Sequence, residues 1–396
     1  MEHVPDVAAD PGRLRTPGSW VLVGDFEGPV AAWRFAERRM RTSARASPPA
    51  GRSSEARTTQ AWQGPAAADW TTSMDEGSYT AAVAEVRETI REGGVYQANL
   101  CRMLSAPLAA APAGPPTVPS AGAPCAEPDA RELARVLERG NPAPYAGGVH
   151  VPTGVGVPSV WVVTASPELY LRLADGWVTS APIKGTARTV DGLTEKDRAE
   201  NVMITDLVRN DLQQVCVPGT VEVTTLLGVE EHPGLVHLVS TVRGRLDPAL
   251  LRSPDLWSRL LGATYPPGSV SGAPKRAALA TIDRLEPVPR GPYCGTVGWV
   301  DVDQDGEVRA ELAVGIRTFV WRDGTLRFGT GAGITWGSDP TAEWQETELK
   351  ARRLVGLASG AGDQDADAPP AAAACAGAAC AGAASGETET PPTVRD

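Results

Sequence analysis

Cysteine and histidine are scarce in this chain, with six of the first and four of the second in 396 residues. Only Cys375 and Cys380 lie near one another. Cys101, Cys125, Cys216 and Cys294 are far apart, and none combines with His3, His150, His232 or His237 at a zinc-binding spacing. Reduced thiols in a cytoplasmic protein are expected. Long apolar runs are missing too: the opening MEHVPDVAADPGRLRTPGSW has no apolar core of the kind a signal peptide needs, and no segment approaches the length of a membrane helix. Neither secretion nor a membrane partner is expected. The net charge is −11 and no block of Lys and Arg is long enough to track a phosphate backbone, so nucleic acid is not an expected partner. Nucleotide fingerprints are also lacking. GSVSGAPK (268–275) breaks the P-loop spacing because Pro274 precedes the lysine, and no G-x-G-x-x-G leads from a strand into a helix.

What is present is alternation. SVWVVTA, ELYLRL, TVEVTTLL, HLVSTVRGRL, GTVGWVDVD, VRAELAVGIRTFVW and TLRFGTGAG run with period two, and turn residues such as DQDG and RDG separate neighbours. WVLVGDF (20–26) and VYQANLCRML (95–104) read as further strands, while YTAAVAEVRETIREG (79–93) carries helical spacing and stops at a glycine pair. Hairpin-like pairs with fewer, long helices predict an α+β fold with antiparallel sheets. Stretches near 41–69, 106–128 and 359–396 are too rich in small residues, Pro or charge to bury a core, and read as loop, insertion and disordered tail. The expected organisation is residues 1–75 as N-terminal strands and a variable loop packed on the core, 76–358 as one catalytic unit, and 359–396 as tail.

Two helices offer carboxylates on faces that should be buried. LTEKDRAENVMITDLVRNDL (193–212) predicts a helix with Thr194 as N-cap and Asp197 reciprocating. At 100° per residue Glu200 falls among Met203, Ile204, Leu207 and Val208, where an ionised carboxylate needs a cation or a proton. In TAEWQETELKARRLV (341–355) Glu343, Glu346 and Lys350 share one face with Leu354. The ordinary outcome is a surface Glu/Lys pair; three converging glutamates would instead make a hard-oxygen site suited to Mg²⁺. GTGAGITWG (329–337) leads into this second helix, and its glycines let backbone amides approach an anion. Lys184, in APIKGTAR after a strand–turn–strand segment, has the ordinary reading of a strand-end lysine reaching to water.

PIKGTAR, KDRAENVMITDLVRND, HLVSTV, GSVSGAPK, RGPYCGTVGW, GIRT, GTGAGI and AEWQETELK occur in that order. Together, over about residues 76 to 358, they resemble the chorismate-utilising enzymes: anthranilate synthase large subunits, aminodeoxychorismate synthase component I, and isochorismate and salicylate synthases. The resemblance implies two packed antiparallel sheets flanked by helices around a central cleft. It implies Mg²⁺ on Glu200 and Glu346, with Glu343 as a further or water-mediated ligand. It implies contacts to chorismate from Gly185, Thr186, Tyr293, Arg317, Gly331, Ala332, Gly333 and Lys350, with His237 lining the ring pocket. Ser271 stands where a Thr is common in GSVSGAPK and joins the substrate-lining set. Glu168, in SPE, takes the general-acid position.

Within the family, PIKGT resembles the aminodeoxychorismate branch, whereas alanine is typical at the Lys184 position of the others. The resemblance thus implies Lys184 as a nucleophile and 4-amino-4-deoxychorismate as product, for p-aminobenzoate and folate or for an antibiotic. No LLES-like tryptophan-pocket motif is seen, and TWGSDP departs from the family's usual stretch. Large subunits of anthranilate or 2-amino-2-deoxyisochorismate synthase are the alternative of the same class. A non-catalytic chorismate-binding regulatory subunit is the alternative of another. None of Cys101, Cys216 or Cys294 sits in a G-x-C-x-G elbow with a downstream His, so ammonia is expected from a separate glutaminase subunit.

Overall fold

Asp-Gly pairs turn two of the hairpins. Asp175-Gly176 takes φ of 53° and 75°, and Asp323-Gly324 takes 50° and 76°, the positive values that let a two-residue loop match the twist of its flanking strands. The first joins Leu169–Ala174 to Trp177–Ala181, and the second joins Thr318–Arg322 to Thr325–Ile334. The computed structural model describes residues 1–37, 62–109, 127–232 and 235–360. Most of the expected loop near 41–69, most of the 106–128 insertion, almost all of the tail, and Cys125, Cys375 and Cys380 lie outside them.

The described strands form two antiparallel sheets, one of ten strands and one of seven, so the fold is α+β as the alternation predicts. Across the larger sheet run Glu2–Val4, Val30–Phe35, Gly18–Gly24, Thr296–Val302, Val308–Val314, Leu169–Ala174, Trp177–Ala181, Leu235–Arg245 and Ile183–Ala187, with Glu222–His232 also paired to Leu235–Arg245. The smaller is centred on Gln97–Pro107 and Thr325–Ile334. The N-terminal strands are part of the larger sheet itself, since Gly18–Gly24 pairs with Thr296–Val302 along its whole length.

One apolar core unites inner faces of both sheets, with Trp20, Leu171, Val300 and Leu312 from the larger, Cys101 and Met103 from the smaller, and Ile204, Val208 and Leu212 from the Glu195–Gln213 helix. On the outer face of the smaller sheet, Leu133, Leu137, Leu354 and Leu357 of two helices pack on Trp161, Phe319 and Phe328. The Glu76–Arg91 helix covers its other end through Tyr79, Val83 and Val86 against Leu100 and Ile334. The helices are not uniformly long, contrary to the sequence expectation: Pro248–Arg252, Leu256–Thr264 and Gly268–Ser271 are short, interrupted by Pro254 and by Pro266-Pro267, whose rings cannot continue a helix. The Glu195–Gln213 helix begins with the expected reciprocal cap between Thr194 and Asp197, a device worth about 1 kcal/mol.

Candidate active site

Lys184 lies on Ile183–Ala187, a strand whose pairing slips between Ile183↔Val239 and Thr186↔His237. The slip contains Gly185, at φ 93°. A Cβ there would stand 2.8 Å from Cβ of Asp197 in the first turn of the Glu195–Gln213 helix, so only glycine lets the strand bend this close to the helix. The bend sends Lys184 across to the other sheet. Its Nζ lies 3.1 Å from the position a Cβ on Gly333 would occupy, and Oε2 of Glu200 lies 3.4 Å from the same point. The lysine is half-buried between strand, helix and facing sheet rather than extended to open water.

Glu168 enters from the turn before Leu169–Ala174. It is 3% exposed, its backbone N–H donates to Ser166 Oγ at 3.2 Å, and its carbonyl accepts from Val314. Burial pushes its carboxyl up to about 7, against the pull of the Ser269 hydroxyl, the Lys184 ammonium and the Ile183 backbone N–H. A carboxyl half protonated at neutral pH can give and take a proton there.

The two carboxylate-bearing helices face one another. Glu343 is buried, and Lys196 Nζ donates to its Oε1 at 2.8 Å while lying 3.7 Å from Oε1 of Glu200. Burial raises Glu200 above its ordinary range, with Lys184 and Lys196 opposing and Glu343 adding to the rise. Glu346 belongs to a second pair: Lys350 contacts it at 2.6 Å and holds its carboxyl below the usual range. Lys350 also donates to the Gly331 carbonyl at 3.0 Å. Both side chains are 46% exposed, as expected for groups on the wall of an open cleft.

No set of three or more His, Cys, Asp or Glu side chains among the described residues is tight enough to hold a metal alone. Glu200 and Glu343 nonetheless supply hard oxygens across a gap spanned by a cation, the Lys196 ammonium. That donor set, with Glu346 within electrostatic reach of the same Lys196 and Lys184, fits Mg²⁺, which takes few protein carboxylates and completes its shell with water or substrate oxygens.

Anion donors line the remainder. Arg317, at φ 51°, has no carboxylate partner among the described residues, and burial alone lowers it to about 10. Such a guanidinium is ready for an incoming carboxylate. Gly331, Ala332 and Gly333 lie on a strand paired on one side with Gln97–Pro107, while Thr318–Arg322 covers its other edge only as far as Phe328. The carbonyl of Gly331 points to that uncovered edge, so its N–H does too, by the alternation of antiparallel strands. Thr186 Oγ1 and His237 Nδ1 are 2.8 Å apart.

Residues 33–356 match the family described as chorismate binding enzyme. The chain belongs to that family. It is 38% identical over 298 residues to an anthranilate synthase component 1 of Streptomyces coelicolor, covering 72% of this chain and 52% of that protein. It is 37% identical over 290 residues to an aminodeoxychorismate synthase of Streptomyces pristinaespiralis, covering 70% of this chain and 36% of that one. The chain thus spans about half of the first relative's length and about a third of the second's. Among solved structures, anthranilate synthase component I from Streptococcus pneumoniae aligns with TM-score 0.60 at 29% identity, over 75% of this chain and 61% of that one. The two-sheet architecture is therefore that of a chorismate-binding enzyme.

The cleft brings together Lys184, Glu168, Glu200, Glu343, Glu346, Lys350, Gly333 and their neighbours. Two expected substrate contacts have protein partners. Tyr293 is buried in the core with its hydroxyl 3.9 Å from Cys101 Sγ, and Ser271 donates back to the Pro267 carbonyl at 3.0 Å. Three participants escaped sequence reading. Ser269, two residues before Ser271, is the hydroxyl that reaches Glu168. Lys196 lies inside the quoted KDRAEN motif but reads as one surface charge among several. Gln97 is fully buried, its amide oxygen and nitrogen have no partner among the described residues, and it lies against Gly333. Its signal was available: Gln97 and Asn99 occupy one phase of YQANL, with Ala98 and Leu100 in the other.

Gly333→Ala would drive a methyl against Gln97 and Lys184. In the reaction proposed below, we expect kcat/KM to fall roughly tenfold or more, since small misplacements of reacting groups are costly, with an overpacking cost of only about 1–3 kcal/mol. Steady-state kinetics beside thermal unfolding checks this, and unaltered kinetics would show that Gly333 does not border the reacting centre.

Proposed function

We propose that the chain is an aminodeoxychorismate synthase component I, converting chorismate and ammonia to 4-amino-4-deoxychorismate. The observation that carries this reading is the amine of Lys184 inside the cleft, beside Glu200 and within electrostatic reach of Glu168. Arg317 and the outward amides of the Gly331–Gly333 edge bind the two substrate carboxylates. Glu200, Glu343 and Glu346 are the residues that would hold Mg²⁺, which would neutralise charge on a substrate carboxylate.

Lys184, as the free amine, attacks C2 of the ring. Both ring double bonds shift toward C4, to shift back in the second displacement, and the C4 hydroxyl leaves as water with the proton of Glu168. Ammonia then attacks C4, the C2–N bond breaks, and Lys184 departs as the amine it began as. The proton shed by the new C4 ammonium returns to Glu168. Lys184 and Glu168 both end as they started, and chorismate plus ammonia has become product plus water.

The test is mass and NMR identification of the product from chorismate, Mg²⁺ and ammonium. The 4-amino isomer is expected, with the enolpyruvyl group retained and no p-aminobenzoate until a second enzyme acts. Stoichiometric pyruvate with anthranilate would transfer the chain to the anthranilate reading, and chorismate binding without turnover to the regulatory one. Ammonia is supplied by a separate glutaminase subunit in this reading. The isolated chain is therefore expected to use ammonium and not glutamine, with glutamate release as the readout.

Glu200→Gln removes one ligand charge and little volume. The Mg²⁺ concentration for half-maximal turnover is expected to rise by at least the roughly tenfold to hundredfold that even an outer-shell partner costs, with unchanged circular dichroism. An unaltered Mg²⁺ requirement would remove Glu200 from the metal site.

A further inference from the structure

A lysine four residues before a glutamate on a helix is ordinarily a surface pair worth a few tenths of a kcal/mol. Lys196 differs in what it joins. Its ammonium lies 2.8 Å from Oε1 of Glu343 and 3.3 Å from Oγ of Ser338, both beyond the Glu195–Gln213 helix, and 3.7 Å from Oε1 of Glu200 within it. Glu343 is 4% exposed and Glu200 12%, whereas Lys196 is 41% exposed. A charged head thus sits in an oxygen shell built from two elements, on a flexible stem that still touches solvent.

We infer that Lys196 is an internal competitor for the divalent cation, occupying the oxygens of Glu200 and Glu343 and withdrawing to solvent when the ion binds. Two like-charged carboxylates facing one another at low exposure are costly without a cation. Lys196 supplies that cation in the free protein. Ion entry then exchanges one positive charge for another, and each lone pair released by the ammonium becomes a ligand position. The exchange weakens binding of the ion to the free protein, and the ion is held firmly only once a substrate carboxylate adds its own oxygens. The stem can move because it is not enclosed, and the Ser338 hydroxyl it leaves keeps the hydrogen bond it accepts from the Thr335 N–H.

The inference rests on the metal reading above, and the test separates the two. Mg²⁺ alone is titrated calorimetrically into the full chain and into Lys196→Met, Lys196→Arg and Glu343→Gln. Lys196→Met keeps the stem and removes the charge, and should bind Mg²⁺ roughly tenfold to hundredfold tighter, the worth of one charge-assisted hydrogen bond. Lys196→Arg keeps a competing cation and should not show this gain, and Glu343→Gln should weaken binding. A second readout is thermal unfolding: Lys196→Met should lose stability in chelator and regain it with Mg²⁺ by a larger shift than wild type. Equal or weaker Mg²⁺ affinity in Lys196→Met, with wild-type binding intact, overturns the competition alone. No Mg²⁺ binding by any of the proteins, with or without chorismate, overturns the metal reading and the competition with it.

Discussion

Lys184→Ala is expected to slow formation of 4-amino-4-deoxychorismate by roughly two to four orders of magnitude and to move nitrogen or oxygen to C2. In the proposed reaction the substitution removes the nucleophile of the first displacement while sparing Glu168, Arg317, Lys350 and the glutamates, so chorismate should still bind. The space left between Gly333 and Glu200 admits ammonia or water, and either attacks C2 directly, giving 2-amino or 2-hydroxy isomers. High ammonium should restore part of the rate by a direct route, because an external amine can substitute for the missing one. Regiochemistry by NMR is the decisive readout, alongside mass spectrometry of wild-type protein held with chorismate in the absence of ammonia, where an adduct on Lys184 should accumulate. An unchanged rate, product still purely 4-amino and no adduct would reduce Lys184 to an electrostatic role.

Glu168→Gln is expected to cost about 10²- to 10⁴-fold in kcat, the usual range for losing a positioned acid, and to raise stability at alkaline pH. The donor must carry its proton, and burial pushes Glu168 up to about 7. Wild-type turnover should therefore fall above pH 7, approaching tenfold per unit. The linkage to stability has the same origin. The folded state holds the Glu168 proton more tightly than the unfolded chain, so this group's contribution is fully present below the ordinary value of 4.5 and is lost as pH rises through about 7. Glu168→Gln removes that loss, so the variant should gain on wild type in urea unfolding between about pH 4.5 and 7 and keep that gain at alkaline pH. A wild-type rate flat from pH 6 to 9, or a variant with no alkaline gain in stability, would show that Glu168 is neither the acid nor strained by burial.

The local rules that the sequence obeys are legible in the sequence alone. Period-two alternation and the Asp-Gly pairs foretold the hairpins because side-chain alternation and positive φ are properties of single residues and their neighbours. The Thr194–Asp197 cap and the inward phase of Glu200 followed from helix geometry over a few residues. Eight ordered motifs were enough to name the family, and through Lys184 they suggested the branch. Helix lengths depart from the periodic pattern where prolines cut them.

What tertiary structure decided are relations between segments far apart in the chain, for which local pattern carries no term. The register slip at Gly185 sends Lys184 to the opposite sheet, and only there does it meet Gly333, some 150 residues away (333 less 184). Ser269 reaches Glu168, while a short helix turns the Ser271 hydroxyl back on its own carbonyls. The partner that turns Lys196 from one surface charge into the cation of a buried carboxylate pair is Glu343, on another helix. Sequence by itself determined which residue types were available to the cleft and which faces of their own elements they occupied. Packing of two sheets and two helices decided which of them share a low-dielectric space, where burial moves a proton affinity and a facing charge decides what ion can enter.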